Sequence, residues 1–122
     1  MKKKKKTISQ LKKKADEVFS RYIRQRDEKL GCISCGVFKP WKEMQAGHFV
    51  PRRHLATRYH EWNVNGQCFA CNCFLKGNMV KYAVNLKLKY GDKIIEELDE
   101  LSKKVGQFKR ADYEDIINNY KT

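Results

Sequence analysis

Two short cysteine motifs, Cys32-Ile33-Ser34-Cys35 and Cys68-Phe69-Ala70-Cys71, decide how this sequence folds. Each motif can offer two thiolates to one ion, and two such pairs complete a tetrahedral zinc site with four cysteine ligands. The pairs are 32 residues apart, which is a longer gap than in a plain zinc ribbon. We therefore expect Zn²⁺ to staple a substantial inserted element.

Disulfides between the same cysteines are the alternative, and the rest of the sequence argues against them. The lysines near the start are not followed by an apolar stretch, so they do not form a secretory signal. A basic chain that is not secreted is expected in the cytoplasm, where structural disulfides are rare. The fifth cysteine, Cys73, has no partner motif and is expected to be a small buried hydrophobic residue.

The charge of the chain points to a polyanionic partner. The 122 residues carry 27 Lys and Arg against 14 Asp and Glu, a formal net charge of +13. Residues 31–91, which hold all five cysteines, contain 9 basic side chains but only Glu43 and Glu61 as acids. Nucleic acid is the leading partner, because neutralising phosphates releases counterions and drives binding. No apolar run approaches the ~20 residues that a membrane span needs, which excludes an integral membrane protein.

The chain is expected to form one domain with a short tail. Residues 1–6 are a like-charge run typical of disorder, and Thr7 with Gln10 forms a capping box that begins a basic helix over 7–30. Residues 31–90 hold the zinc-stapled element, with short strands at 43–50 and 63–67 and a helix from Cys71-Asn72 that Gly77-Asn78 interrupts. Residues 91–122 contain two further helices.

Between the zinc motifs lie residues that can carry out acid–base chemistry. His48 is expected on the first strand, Asn63 on the returning strand, and Asn72 at the opening of the following helix. A histidine in this position can act as a general base near neutral pH. A hard divalent ion beside it would favour oxygen ligands such as an asparagine carbonyl.

At these residues the sequence resembles the HNH, or ββα-metal, endonuclease superfamily, and within it the NinG (Rap) recombination nucleases of lambdoid phages. The resemblance rests on Gln45 to Arg53, on His54 to Arg58 and on Asn63 to Asn78, and it extends over about residues 7–102. It implies an α+β fold: a zinc-stapled ββα-metal (HNH-like) core with flanking N- and C-terminal helices. It also implies a location in the host cell cytoplasm.

The resemblance implies a metal-dependent, structure-selective DNA endonuclease that acts on branched recombination intermediates (Holliday junctions, D-loops, forks) and leaves 5′-phosphate and 3′-hydroxyl ends. His48 would be the general base, and Asn63 would hold the loop and orient the His48 ring. Asn72 would bind the catalytic Mg²⁺ or Mn²⁺. The structural zinc would be held by Cys32, Cys35, Cys68 and Cys71.

One position departs from the superfamily pattern. Many members have an Asp or His ligand immediately before the catalytic histidine, but here that residue is Gly47. The missing ligand would come from elsewhere, and Glu61, His60 and Asn78 are the candidates. Too few protein ligands would give a weak ion site that fills only with DNA present.

Several basic residues are expected to contact DNA: Arg52, Arg53, Arg58 and Lys76 near the core, and Lys12, Lys13, Arg21 and Arg24 on the first helix. Guanidinium groups bind phosphate oxygens bidentately, which favours phosphate contact for the loop arginines. Symmetric cleavage of a four-way junction would need two active sites, hence a homodimer. The acidic C-terminal segment could dock a recombination protein.

A purely structural interpretation is the alternative to each of these roles. His48 could be a structural histidine, Asn72 a helix N-cap and Asn63 a turn residue; for His54 and His60 the structural role is favoured. The whole chain could then be a non-catalytic zinc module that binds nucleic acid. It could also be a protein-interaction module.

Overall fold

The computed structural model describes residues 5–104 and 106–121 of the chain. These ranges hold five α-helices, two short helical turns of other types and a two-stranded antiparallel sheet, which is the α+β class expected from the sequence. The tail expected over 1–6 lies mostly outside the described residues. None of the helices in the described ranges is both long enough and apolar enough to span a bilayer.

Helix α1 (Ile8–Asp27) begins at the expected capping box. The Gln10 amide donates to the Thr7 hydroxyl (3.1 Å), and the Thr7 amide donates to the Gln10 side chain (2.8 Å). The helix ends before the expected Leu30–Gly31, because the amides of both those residues donate to the carbonyl of Asp27 and close the last turn. The chain then leaves at Gly31, whose φ of +81° suits glycine.

The sheet is a single hairpin of β1 (Met44–His48) and β2 (Val64–Cys68), within two residues of the predicted strands. Met44 lies opposite Cys68, and His48 lies opposite Val64. A turn of 3₁₀ helix, Trp41–Glu43, leads into β1. The hairpin therefore carries one zinc-motif cysteine at one end and His48 at the other.

Helices cover both faces of the hairpin. Side chains alternate along a strand, so Ala46 and His48 face α1, whereas Gln45 and Gly47 face the segment after β2. The hairpin is thus the middle layer of the molecule, and its two faces present different chemistry.

The connection between the strands contains a one-turn helix, α2 (Leu55–Arg58), where a plain loop was expected. A single turn is too short to leave a periodic pattern in the sequence. Its last two residues, Thr57 and Arg58, are buried, although Arg58 is predicted to contact DNA. The buried end of α2 lies close to His48.

After β2 the chain forms a π-helical turn (Ala70–Phe74) and then α3 (Met79–Tyr90). The predicted interruption at Gly77-Asn78 is confirmed, since both residues have positive φ, +92° and +46°. Asn72 consequently lies inside the π-helical turn and does not cap a helix.

Two C-terminal helices complete the core, α4 (Ile94–Ser102) and α5 (Arg110–Tyr120). Helix α4 packs on α3, and α5 packs on α1. The side chains in these two interfaces are almost fully buried: Tyr82, Leu86, Ile94 and Leu98 in the first, and Leu11, Ala15 and Tyr113 in the second.

Candidate metal centre and catalytic site

The four cysteines of the two motifs come together in space. The sulfur atoms of Cys32, Cys35, Cys68 and Cys71 all lie within 4.8 Å of one another, and the Cys35–Cys68 distance is 3.7 Å. Tetrahedral zinc with Zn–S bonds of about 2.3 Å separates its sulfurs by about 3.8 Å. The side chains are therefore arranged as a zinc site requires.

Neighbouring N–H groups point at these sulfurs. The amide of Cys35 donates to the sulfur of Cys32 (3.5 Å), and that of Cys71 donates to Cys68 (3.4 Å). The side-chain amide of Asn78 donates to Cys71 (3.5 Å). Such donors stabilise thiolates, the form that binds metal.

The thiols are electrostatically unlike one another. Burial raises the pKa of Cys71 to about 12, whereas amide hydrogen bonds outweigh burial at Cys32 and lower its pKa to about 7. A cation is needed to hold all four as thiolates, and a soft tetrahedral sulfur set suits Zn²⁺. The four-cysteine centre could hold a zinc ion, as the sequence predicts.

Cys73 differs from its prediction, because it is exposed rather than buried. It lies on the outward side of the π-helical turn, and its sulfur is 3.3 Å from the side-chain oxygen of Gln45. It is not among the clustered cysteines.

His48 stands at the end of β1 on the wall of a cavity of about 270 Å³ between the hairpin, α1 and α2. Its Nε2 lies 2.9 Å from the carbonyl oxygen of Arg58. A carbonyl can only accept, so Nε2 carries the proton. The neutral ring then has its lone pair on Nδ1.

The surroundings of His48 keep the ring neutral. Burial lowers the pKa of His48 to about 4, and the charges of Arg52 and Arg58 act in the same direction. The hydrogen bond to the Arg58 carbonyl opposes this shift only in part. At pH 7 the ring is therefore unprotonated and able to accept a proton.

Asn63 is fully buried and ties the connection between the strands together. Its side-chain oxygen accepts from the Val50 amide (2.7 Å). Its nitrogen donates to the carbonyls of Val50 and Thr57, both at 3.1 Å. The next residue after Thr57 is Arg58, which holds the His48 ring, so Asn63 fixes the backbone beside that contact.

Asn72 lies on the other side of the hairpin from His48. Its side-chain nitrogen donates to the oxygen of Gln45 on β1. Gln45 and His48 are three positions apart on one strand and face opposite sides, so the structure does not bring Asn72 and His48 into direct contact. The outer edge of β1, the edge that does not face β2, has no partner strand in the described ranges.

Gly47 has a packing reason to lack a side chain. A Cβ on Gly47 would clash with the side-chain oxygen of Gln67. The buried Gln67 amide instead donates to the Ser34 hydroxyl (2.9 Å) and the Gly77 carbonyl (2.6 Å). Gln67 thus fills the space that a side chain at position 47 would need, and it links the hairpin to the first zinc motif at Ser34 and to Gly77 before α3.

Each of the three residues suggested as substitute ligands has hydrogen-bond partners elsewhere. The carboxylate of Glu61 accepts from the hydroxyls of Tyr22 (2.8 Å) and Tyr120 (3.1 Å). His60 accepts from the Trp62 amide and packs on the Trp62 ring. Asn78 contacts the four-cysteine centre instead.

The basic residues suggested for DNA contact divide into three groups by exposure. Lys13, Arg52, Arg53 and Lys76 are exposed, whereas Lys12, Arg21 and Arg24 are half-buried, with the Arg24 guanidinium over the Trp41 ring. Arg58 is buried, with its guanidinium on Asp16. The exposed group is therefore the most accessible to a DNA phosphate.

Two residues near the site were missed by the sequence interpretation. Asp16 reaches the His48 cavity from α1, and Gln45 meets Asn72. Asp16 is 42 residues from its partner Arg58, and no local pattern marks such a contact. Gln45 lay inside the quoted motif, but a glutamine alone gives no chemical signal.

The fold and site define a class of small α+β protein that is built around a hairpin and a four-cysteine centre suited to zinc. The chain belongs to the NinG family: the family model described as "Bacteriophage Lambda NinG protein" matches residues 1–122.

Phage proteins are among the curated relatives. "Protein ninG" of Escherichia phage lambda and of Escherichia phage 933W are each 36% identical to this chain over 88 residues, and that of Salmonella phage P22 is 35% identical. Each match covers 71% of this chain and 43% of the relative, so the matched segment spans less than half of those proteins. No solved structure gives a significant match.

Proposed function

We propose that this chain is a metal-dependent DNA endonuclease with an HNH-like site that acts on branched DNA. The observation that carries the proposal is the fixed orientation of His48, with Nε2–H on the Arg58 carbonyl and Nδ1 free as a proton acceptor. The wall of the cavity that His48 lines also carries Asp16 and Arg52, so a water molecule and a phosphate would have charged groups beside the ring.

Asn63 supports the same mechanism. Its three hydrogen bonds hold the loop that carries the Arg58 carbonyl. This matches the role that the superfamily resemblance assigns to the middle residue of the motif. The His48–Asn63 pair therefore resembles a catalytic base with its supporting residue.

In the proposed reaction His48 accepts a proton at Nδ1 from a water molecule, and the water oxygen attacks the phosphorus. The bond from phosphorus to the 3′ oxygen breaks, and the 3′ oxygen takes a proton from solvent water, which leaves 5′-phosphate and 3′-hydroxyl ends. Arg52 lines the same cavity with its side chain 56% exposed, so it can contact a phosphate oxygen there.

Asn72 and Gln45 would hold the divalent ion. Both offer side-chain carbonyl oxygens, the donor type that hard cations prefer, and they meet across the strand and the π-helical turn. Because Asn72 and His48 lie on opposite faces of the hairpin, the scissile phosphate would have to lie across the outer edge of β1 to reach both. There a bound Mg²⁺ or Mn²⁺ would stabilise the negative charge on the departing oxygen. Two neutral ligands make a weak site, in accord with an ion that binds together with DNA.

A basic segment of the chain that includes Asn72 supports DNA as the substrate. Residues 62–91 contain no Asp or Glu and carry four lysines. Phe69 and Phe74 pack edge to face (5.3 Å) and are 49% and 75% exposed, with exposed Lys76 close by in sequence. Exposed aromatic rings can stack on base faces, which are uncovered where stacking is interrupted at a branch point and are covered within a continuous duplex.

The test is cleavage of end-labelled four-way junction, fork, duplex and single-stranded DNA, with and without Mg²⁺ or Mn²⁺. We expect metal-dependent cleavage of the branched substrates. His48→Ala should lower the single-turnover rate by about 10²–10⁴-fold, because a general base acts mainly in the transition state. Zinc content and DNA affinity should be retained.

His54→Ala is the matched control, because His54 lies in the same loop and its side chain does not cap α2. It should cleave like the wild type. Cleavage by His48→Ala at the wild-type rate would overturn the mechanism. DNA binding without cleavage by the wild type on any substrate would favour the non-catalytic zinc module.

A further inference from the structure

The carboxylate of Asp16 on α1 is the central acceptor of the His48 cavity. It accepts from Arg58 through Nε (2.9 Å) and Nη2 (2.5 Å), from the Tyr59 hydroxyl (2.7 Å) and from Arg52 Nη2 (3.0 Å). Burial raises the pKa of Asp16, but the hydrogen bonds from Arg58 and Tyr59 outweigh it, so the pKa is lowered. The group is therefore an anion at neutral pH.

Arg58 connects this carboxylate to the catalytic histidine. Its side chain is held by Asp16 and by the carbonyl of Arg52 (3.1 Å), and its own carbonyl holds Nε2 of His48. Arg58 is only 8% exposed, so it has little freedom to move. A bidentate guanidinium–carboxylate pair fixes the position of both partners, so Asp16 fixes the residue that orients His48.

The charge of Asp16 is unexpected on a surface that binds DNA. A carboxylate among Arg52 and Arg58 lowers the positive potential that attracts phosphate. If it served binding alone, its loss would be an advantage. A role in the arrangement of His48 accounts for its presence.

We propose that Asp16 is a positioning residue for His48: through Arg58 it fixes the carbonyl that holds Nε2–H and thereby keeps Nδ1 turned to the cavity. This rests on the proposed function and makes the N-terminal helix a part of the site.

The test compares Asp16→Asn with the wild type and with Glu17→Gln. Glu17 is the neighbouring residue, lines the same cavity, is exposed and has one ion pair, a 3.9 Å contact with Lys14 on its own helix. Both substitutions remove one negative charge of the same helix, so a general electrostatic effect would be shared between them. Only Asp16→Asn disturbs Arg58.

We expect Asp16→Asn to lower the single-turnover rate at saturating junction DNA by about 10–100-fold, as the loss of supporting residues does elsewhere. Its affinity for DNA should stay equal or increase, because a repulsive charge is gone. Glu17→Gln should keep the wild-type rate. A parallel loss of affinity and rate in Asp16→Asn would instead indicate a general structural role and overturn the proposal.

A second measurement does not depend on cleavage. The ¹⁵N shifts of the His48 ring report which nitrogen is protonated, and we expect the Nε2–H tautomer in the wild type and a mixture in Asp16→Asn. An unchanged tautomer together with an unchanged rate would overturn the proposal. If the wild type does not cleave DNA, the proposed nuclease function fails, but the change of tautomer in Asp16→Asn still tests the positioning role of Asp16. The failure of one proposal is therefore distinguishable from the failure of the other.

Asp16→Glu covers the case in which Asp16→Asn does not fold. It keeps the charge but moves the carboxylate by one methylene, so Arg58 must shift. We expect a smaller rate loss and a partial change of the His48 tautomer. Wild-type values for both in a folded Asp16→Glu protein would contradict the need for a fixed Arg58.

Discussion

A single amide side chain, that of Asn63, holds together the loop beside His48. It makes three hydrogen bonds to the backbone, and the residue is fully buried. Replacement by alanine leaves the amide and carbonyl of Val50 and the carbonyl of Thr57 without this partner. Buried groups that lose a partner cost about 1–3 kcal/mol.

Asn63→Ala should therefore be less stable by about 1–3 kcal/mol and should cleave more slowly, since the Arg58 carbonyl is no longer held in place. Added Mg²⁺ should not restore the rate, because no ion ligand is lost. Thermal unfolding and single-turnover cleavage on the same protein test this. Asn72→Ala is the matched comparison: its rate should recover in part at raised Mg²⁺ or Mn²⁺. Rescue of Asn63→Ala by added metal, without rescue of Asn72→Ala, would assign ion binding to Asn63 and the supporting role to Asn72.

Among the structural elements, the two cysteine motifs hold the ends of the hairpin and the π-helical turn. The cluster that joins them to Met44 is small, with only Cys32, Met44, Cys68 and Cys71 buried together. So little apolar surface gives these segments little stability, and a zinc ion bound by the four cysteines would supply more.

One zinc ion per chain is expected, and Cys68→Ser should lose it together with the fold of the hairpin. Zinc binding contributes about 10–16 kcal/mol in zinc-finger peptides at pH 7, far more than this cluster can replace. Elemental analysis measures the zinc content and circular dichroism measures the folded structure. A strong chelator should remove both the zinc and the fold from the wild type. Cys73→Ser is the control, because that exposed cysteine lies outside the cluster. Zinc-free protein with an unchanged spectrum would contradict the role of the metal.

The π-helical turn gives a second prediction at this scale, concerning the choice of DNA. Phe74→Ala should lower affinity for four-way junction DNA by about 1–3 kcal/mol, the energy of base stacking on an aromatic ring, and should change duplex affinity little. Fluorescence anisotropy on the two substrates, in the His48→Ala background, measures binding without cleavage. Phe38→Ala is the control, since Phe38 is 68% exposed on the other zinc-motif segment. Equal losses on junction and duplex would remove Phe74 from branch recognition.

For the molecule as a whole, the parts that local sequence determines were predictable. The capping box at Thr7, the two cysteine motifs and the break at Gly77-Asn78 each depend on residues that are close in the chain, and all are confirmed. The burial of Arg58 was not predictable, because it depends on Asp16 at a distance of 42 residues. The exposure of Cys73 depends on the π-helical geometry of its turn, which a helical pattern cannot distinguish from an α-helix.

A buried ion cluster at Asp27 connects three parts of the molecule and was likewise invisible in the sequence. Its carboxylate accepts from Arg26 (2.8 Å) on α1, from the Gly66 amide (2.8 Å) on β2 and from Lys89 (3.1 Å) on α3. Asp27 is 2% exposed, and a Cβ on Gly66 would contact it at 2.9 Å, so the strand passes directly over the carboxylate. The cluster fixes the hairpin between the helices on its two faces.

The Asp27 cluster makes global stability depend on pH in a direction that can be derived. Burial raises the pKa of Asp27, but hydrogen bonds from Arg26 and Gly66 outweigh it, so the folded pKa lies below the ordinary 3.8. The contribution of the anion is therefore complete above pH 3.8 and is lost as the pH falls through the folded value. Asp27→Asn should destabilise the protein at pH 7 by about 1–3 kcal/mol, because the half-buried cations of Arg26 and Lys89 lose their charged hydrogen-bond partner.

Urea unfolding of wild type and Asp27→Asn should then give curves that converge as the pH is lowered toward and below 3.8. The comparison at each pH removes the contribution of zinc release, since both proteins carry the same four cysteines. Asp115→Asn serves as the control, because Asp115 is an exposed acid on α5; it should change stability by less than about 0.5 kcal/mol. A gap between wild type and Asp27→Asn that stayed constant down to pH 2 would mean that the Asp27 side chain acts through packing, and that its charge does not hold the helices to the hairpin.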